Sequence, residues 1–75
     1  MPAPLTELVA EQVRAEMARR RISGTQLGAK IGKPPRYISR RLTGVVAFDT
    51  EDLAAISEAL GVDVRDLMRA PERAA

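Results

Sequence analysis

The chain of 75 residues contains no cysteine and no histidine. Without these side chains it cannot form a disulfide or offer a thiol nucleophile, and nearly every zinc site is excluded. Aromatic residues are scarce as well: one tyrosine, one phenylalanine and no tryptophan are present. That is too few for the stacking platforms that hold single-stranded nucleic acid. We therefore expect no metal, no cofactor and no enzyme activity, and a chain that acts by binding.

Long apolar runs are also missing. No stretch approaches the roughly 18 apolar residues of a membrane span, and Glu7 and Glu11 lie where a secretory signal would be basic. We expect a cytoplasmic protein that makes no membrane contact. The length indicates a single domain, residues 1–75, with about 5–69 ordered and no room for a separate catalytic or sensory domain.

Basic residues are concentrated in the middle of the chain. Nine basic side chains against Glu16 alone give a formal charge of +8 over residues 14–41, with −2 over residues 1–13 and −4 over residues 42–75. A basic centre between acidic flanks suits contact with a polyanion through one face. The alternative is an ordinary solvated surface, which most charge runs form.

Residues 22–44 predict two short helices joined by a glycine turn. Ser23 suits the N-cap of the first helix, and Gly32 can adopt the left-handed conformation that ends it. Pro35 fits the first turn of the second helix, where its missing N–H is not needed. Such a pair, over about residues 24–43, is typical of a helix-turn-helix that docks on DNA.

Apolar residues mark the inner face of both helices at a spacing of four. Leu27 and Ile31 occupy the first helix, and Ile38 and Leu42 occupy the second. The remaining residues of the second helix should then lie on its outside. They are Arg36, Tyr37, Ser39, Arg40 and Arg41.

Three further helices are expected, which makes a compact all-α bundle of five. The first runs from a Thr6 N-cap to about residue 20, and the fourth follows a cap at Asp49. A short fifth helix is predicted over residues 64–69. The apolar loop 45–48 should cover the core, and the ends 1–4 and 71–75 should lie outside the ordered part.

Several small and apolar residues occur together at characteristic spacings. They are Ile22, Ser23, Leu27, Gly28, Gly32, Ile38 and Gly44, followed by the segment LAAISEALGVDVRDLM over residues 53–68. With this set, the stretch from about residue 9 to residue 68 resembles the Cro/CI-type helix-turn-helix family, the XRE family of phage repressors and bacterial regulators.

The resemblance implies a lambda-repressor-like DNA-binding domain with five helices. It implies a sequence-specific transcriptional regulator of double-stranded DNA, similar to Cro or to a minimal phage or prophage repressor that occludes a promoter. It also implies a homodimer, at least on DNA, that binds a pseudo-palindromic operator.

The second motif helix is expected to read DNA bases. A helix that enters the major groove N-terminus first presents its first two turns to the base edges. An arginine there can contact O6 and N7 of guanine together, which favours a half-site containing G·C pairs. We expect base readout from Pro35, Arg36, Ser39 and Arg40, with plain solvent exposure as the alternative for Ser39.

Phosphate contacts that fix the register are expected around this face. Gly24 stands where members of the family often have a glutamine that touches a phosphate, so a neighbouring residue must make that contact. The alternatives are packing against the first motif helix for Tyr37 and simple solvation for Lys33. The predicted backbone contacts are Thr25, Gln26, Lys30, Lys33, Tyr37, Arg41 and Thr43.

The end of the chain leaves two questions open. A late apolar cluster forms either a dimer contact or the lid of the core. The acidic third, residues 51–72, allows a different function, an antitoxin-like interaction module that binds a basic partner and also DNA. The cluster consists of Val62, Val64, Leu67 and Met68.

Overall fold

The structure, a computed structural model, describes residues 4–69. Within that range it contains four α-helices, one 3-10 helix and no β-strand. The all-α class predicted from the sequence is therefore confirmed. The bounds are Pro4–Arg20 for α1, Gly24–Ile31 for α2, Pro35–Leu42 for α3, Thr50–Leu60 for α4 and Val64–Leu67 for the 3-10 helix.

The first helix begins earlier than predicted. α1 is already helical at Pro4, two residues before the expected N-cap Thr6. A proline suits the first turn of a helix, because the N–H that it lacks would have no partner within the helix there. Apart from Pro4, the ends that we expected to lie outside the ordered part are not among the described residues.

The predicted fifth helix over residues 64–69 is not confirmed as a further α-helix, because a short 3-10 helix, Val64–Leu67, takes its place. The hydrogen bonds of this turn join residues three apart: the Asp66 N–H donates to the Asp63 carbonyl over 2.9 Å, and the Met68 N–H to the Arg65 carbonyl over 3.1 Å. The Asp63 side chain caps the turn by accepting from the Arg65 N–H. Four residues are too few to establish the repeated four-residue hydrogen bonds of an α-helix.

Local capping chemistry fixes both ends of α2, as predicted. The Ser23 hydroxyl accepts from the Gln26 N–H over 3.1 Å, and the Gln26 side chain accepts from the Ser23 N–H over 2.8 Å. This reciprocal pair is a capping box, which satisfies two N–H groups that the helix cannot pair internally. At the other end, Gly32 has a φ of 75°, a left-handed conformation that glycine adopts without steric cost.

The turn between α2 and α3 passes directly over Gly28. The Lys33 N–H donates to the Gly28 carbonyl over 2.8 Å. A Cβ atom on Gly28 would lie 2.5 Å from the Lys33 carbonyl oxygen, so no other residue fits here without moving the turn. Pro34 then takes an extended conformation, with ψ at 157°, and Pro35 opens α3. Gly28 therefore sets how closely α3 approaches α2.

The core is formed by the inward residues of every helix. Val13, Leu27, Ile38, Ile56 and Leu67 are completely buried. Partly buried apolar residues pack around this centre, and Phe48 is among them. The loop 45–48 covers the core less than predicted, because Val45 remains 67% exposed. The other buried members of the cluster are Val9, Met17, Leu53 and Leu60.

Arginines of α1 hold the C-terminal ends of other helices. Arg14 Nη1 donates to the Leu42 carbonyl at the end of α3, and Arg20 Nε donates to the Leu60 carbonyl at the end of α4 over 3.1 Å. The last carbonyl groups of a helix have no partner within it. A guanidinium donates hydrogen bonds to them, and its positive charge interacts favourably with the negative end of the helix dipole. Glu16, only 8% exposed, forms an ion pair with Arg20 and positions it.

The four residues of the late apolar cluster lie in different environments. Leu67 is completely buried in the core of this chain, which is one of the two roles left open by the sequence. Val62 and Val64 are partly buried and pack against that core, and Met68 is 39% exposed. Only Met68 thus has much surface left for a contact with a second copy.

Two searches of the described residues give negative results. Between residues 4 and 69, no helix has both the length and the apolar character needed to cross a membrane. The same residues contain no group of three or more acidic side chains placed to hold a metal ion.

Candidate nucleic-acid interface

The outer face of α3 carries three exposed polar residues. Arg36, Ser39 and Arg40 are exposed, whereas Ile38 on the opposite side is completely buried. With about 100° between successive residues, positions three and four apart fall on one side of a helix. Pro35, at the first position of α3, is exposed as well. The four residues predicted to read bases are thus all accessible at the start and along the outer side of α3.

This face continues towards the N-terminus of α2. A shallow surface depression between the two helices is lined by Thr25, Pro35, Ser39 and Thr43, together with Gly24 and Leu42. The hydroxyl of Thr43 donates to the main-chain carbonyls of Ser39 and Arg40, over 3.0 and 3.2 Å. Its oxygen can still accept a hydrogen bond. The structure therefore brings two predicted phosphate ligands, Thr25 and Thr43, beside the predicted reading face.

The side chain of Gln26 forms part of the α2 capping box, so only some of its atoms can bind a ligand. Its Oε1 atom is occupied by the Ser23 N–H within the capping box, while the residue stays exposed. The side-chain amide nitrogen remains a donor that can meet an acceptor such as a phosphate oxygen. The cap thus holds the side chain in one orientation.

The two predicted lysine ligands lie in different places. Lys33 is in the turn before α3, with its Nζ atom 4.8 Å from the centre of the Tyr37 ring. Lys30 lines a groove between α2 and α4 together with Ile31 and Glu58. Lys33 thus lies in the turn before α3 and beside the Tyr37 ring, whereas Lys30 is on the α4 side of the motif.

Tyr37 and Arg41 are less exposed than helical spacing predicted, and for Tyr37 packing was one of the two alternatives. Both are partly buried on the flank of α3 that meets α4. The Tyr37 hydroxyl donates to Oδ1 of Asp52 over 2.6 Å. This hydrogen bond to a carboxylate stabilises the protonated phenol and raises the pKa of Tyr37 above its ordinary value of 10.0. The Tyr37 ring thus packs against the core, and its hydroxyl reaches α4.

Arg41 stacks on the same ring. Its guanidinium carbon lies 3.4 Å from the centre of the Tyr37 ring, and its Nη1 donates to the Tyr37 carbonyl over 3.1 Å. Its Nε lies 3.3 Å from Oδ2 of Asp52, and the side chain is 16% exposed. A guanidinium is well suited to such stacking, because it is planar and only weakly hydrated.

Asp52 connects α3 to α4, a role that the sequence did not reveal. Within α4 it also completes the capping box with Asp49. Its carboxylate, 3% exposed, accepts a hydrogen bond from the Tyr37 hydroxyl and forms an ion pair with Arg41. No periodic pattern links these positions, which are 15 and 11 residues apart, so only the fold brings them together.

The exposed arginines of α3 have no acidic partner nearby. Among residues 4–69, neither Arg36 nor Arg40 takes part in an ion pair, whereas Arg41 does. Their charge is therefore directed to solvent on the outer face of α3. A basic face on a helix held by a tight turn provides electrostatic attraction for nucleic acid and side chains that can reach base edges.

The fold and the basic outer face of α3 together define a DNA-binding protein of the helix-turn-helix class. The family profile described as helix-turn-helix matches residues 13–67, and the chain belongs to this family, the XRE family of transcription regulators. Comparison with curated protein sequences gives no match. The resemblance inferred from the sequence is confirmed.

A solved structure agrees with this assignment. The crystal structure of the clp gene regulator ClgR from C. glutamicum is similar to this chain, with a TM-score of 0.78 and 27% sequence identity. The similarity covers 84% of this chain and 82% of that chain. DNA binding in transcription regulation is thus the function supported by both family and fold.

Proposed function

We propose that this chain is a sequence-specific repressor that inserts α3 into the major groove of double-stranded DNA. The proposal depends above all on the exposed Arg36 and Arg40, which form no ion pair within residues 4–69 and lie four residues apart on the outer side of α3. The opposite side of the same helix is anchored by the buried Ile38. The inner side of α3 is thus fixed in the core, and its outer side is free to contact DNA.

Arg36 and Arg40 supply the base contacts in this proposal. Each guanidinium can donate two hydrogen bonds to O6 and N7 of a guanine, and a good bidentate pair contributes about 1–3 kcal/mol of discrimination. The four-residue spacing directs the two side chains to nearby base pairs along one groove. Ser39 and Pro35, on the same accessible part of α3, contact the neighbouring base edges.

The surrounding residues hold the motif on the phosphate backbone. Thr25 and Thr43 lie beside the reading face, Gln26 offers its amide nitrogen, and Lys33 lies in the turn before α3. Contacts of this kind set the register of the helix and carry no sequence information. Lys30, on the α4 side, adds to the attraction that every DNA sequence exerts.

In this proposal, the protein acts as a two-fold dimer on a pseudo-palindromic operator. One motif of this size covers too few base pairs to be selective, and two copies about one helical turn apart double the contacts. Met68 is the exposed member of the late apolar cluster and the residue we assign to the contact between copies. Occupation of a promoter by such a dimer, as in a Cro-like or minimal phage repressor, would block transcription.

Selection of bound duplexes from a random library tests the proposal. The native protein should select a two-fold symmetric motif that contains G·C pairs. Arg36→Ala and Arg40→Ala should each weaken binding to the selected duplex about 5- to 150-fold and relax the preference at one position. Lys30→Ala, the matched control, should weaken all duplexes alike.

Two results would contradict this assignment. Equal losses on selected and scrambled duplexes for both arginine variants would remove their role in base readout. Binding without any selected motif would mean that the protein does not recognise a sequence.

The antitoxin-like alternative has less acidic surface than the sequence suggested. Within the acidic third, Asp52 is buried, Asp63 pairs with Arg65 over 2.7 Å and Asp66 pairs with Arg69 over 3.1 Å. Glu51 and Glu58 stay exposed, but the two ion pairs reduce the acidic charge that is left for a basic partner. We therefore do not propose it as a second function.

A further inference from the structure

The three arginines of α3 are presented in different ways. Arg36 and Arg40 are exposed and have no ion pair with any residue between 4 and 69. Arg41 is bound on three sides by Tyr37 and Asp52, and 16% of its side chain is exposed. Because Arg40 and Arg41 are adjacent in the sequence, the difference comes from their surroundings.

Asp52 holds Arg41 by charge more than by a directed hydrogen bond. Their closest atoms, Nε and Oδ2, are 3.3 Å apart. Nevertheless, the buried Nε finds no hydrogen-bond acceptor in suitable geometry among the described residues. The carboxylate itself is fixed, since Tyr37 and the Asp49 N–H donate to its two oxygens over 2.6 and 3.1 Å. Removing the negative charge would leave a buried guanidinium N–H without compensation, which favours its return to water.

We propose that Asp52 keeps Arg41 away from the DNA backbone and thereby limits the sequence-independent affinity of the protein. This inference rests on the proposed approach of α3 to DNA. Arg41 lies about 100° around the helix from Arg40, on the flank that faces the groove wall when the outer face meets the base edges. Once released, its long side chain adds one positive charge beside the phosphates. Such a contact strengthens binding to every sequence and distinguishes none.

The test is the salt dependence of binding to a scrambled duplex. Asp52→Asn removes the charge and keeps the shape and one carbonyl oxygen. Its plot of log affinity against log salt should be steeper than that of the native protein by about 0.9, the value for one additional phosphate contact. Between about 50 and 200 mM salt, this corresponds to a further change of about 3.5-fold in affinity.

Three further variants assign the effect to Arg41. Asp49→Asn removes one negative charge from the same helix end, but Asp49 has no ion pair with Arg41, so the salt slope should stay native. In the double variant Asp52→Asn/Arg41→Gln the slope should return to the native value. Arg41→Gln alone should also keep the native slope, and this measurement remains decisive if Asp52→Asn fails to fold.

The outcomes separate this inference from its alternatives. An unchanged slope in Asp52→Asn, a steeper slope that persists without Arg41, or a slope reduced by about 0.9 in Arg41→Gln alone would each overturn it. The preference for the selected duplex over the scrambled one should stay native in Asp52→Asn, and its collapse would show that Asp52 positions α3 instead. Equal native affinity for both duplexes would overturn the proposed function, while the slope would still test the inference.

Discussion

Replacing Gly28 with alanine tests how tightly the turn is packed on α2. The added Cβ would lie 2.5 Å from the Lys33 carbonyl oxygen, whereas ordinary contacts begin at 3.4 Å. The atom that it meets belongs to the backbone, so the whole turn must move by about 0.9 Å. That movement also strains the hydrogen bond from the Lys33 N–H to the Gly28 carbonyl, now 2.8 Å long.

Two opposing terms set the size of the effect. Alanine is favoured over glycine within a helix by about 0.8–1 kcal/mol. Forcing an extra carbon into a filled site typically costs about 1–3 kcal/mol, and a clash with main chain belongs at the upper end. We expect a net loss of about 2 kcal/mol, which lowers the melting temperature of a domain of this size by about 8–16 °C.

Gly24→Ala is the matched control within the same helix. A Cβ there would make ordinary contacts, 3.7 Å to Ile38 Cγ2 and 3.8 Å to Leu42 Cδ1. Thermal unfolding followed by circular dichroism should show this variant to be as stable as the native protein or slightly more stable. If Gly28→Ala melts at the same temperature as Gly24→Ala, the turn is not fixed by close packing and the reasoning fails.

Two further predictions concern capping and ionisation. Ser23→Ala should lower stability by about 1 kcal/mol because α2 loses its N-cap, while Ser57→Ala, within α4, should have little effect; equal melting temperatures would rule out the cap as a stabilising contact. An NMR titration should place the pKa of Asp63 at about 2 instead of its ordinary 3.8, because the Arg65 side chain and N–H donate to its carboxylate. Since that pKa is depressed in the folded state, the stabilisation is present above about pH 4 and is lost as the pH falls towards 2. Arg65→Ala should raise the pKa, and an unchanged value would contradict the assigned cause.

The sequence predicted best what depends on neighbours along the chain. Ser23, Gly32 and Asp49 were all identified as helix ends, because a cap requires only a particular side chain or φ at one position. The buried side of α3 followed from the four-residue spacing of Ile38 and Leu42. These features needed no knowledge of how the helices pack.

Prediction from the sequence failed where a side chain's position depends on residues that are distant along the chain. Tyr37 and Arg41 were placed outside because their helix alone allows it, but α4 offers a buried carboxylate at Asp52. The hydrogen bond from Arg14 to the end of α3 was missed for the same reason. The fifth helix was overestimated, since a capping residue and two apolar positions do not show whether a turn is long enough to become α-helical.

The support of α3 has a consequence for changing the DNA target of this protein. The helix is anchored by the Ile38 side chain and by main-chain groups, namely the Leu42 carbonyl bound by Arg14 and the Lys33 N–H bound by Gly28. None of these anchors involves the side chains at positions 35, 36, 39 and 40. Positions 36, 39 and 40 can therefore vary without loss of an anchor, whereas Pro35 opens α3. In the proposed mode of binding, a library that varies these three positions and keeps Tyr37, Ile38 and Arg41 would select new operators on an unchanged scaffold.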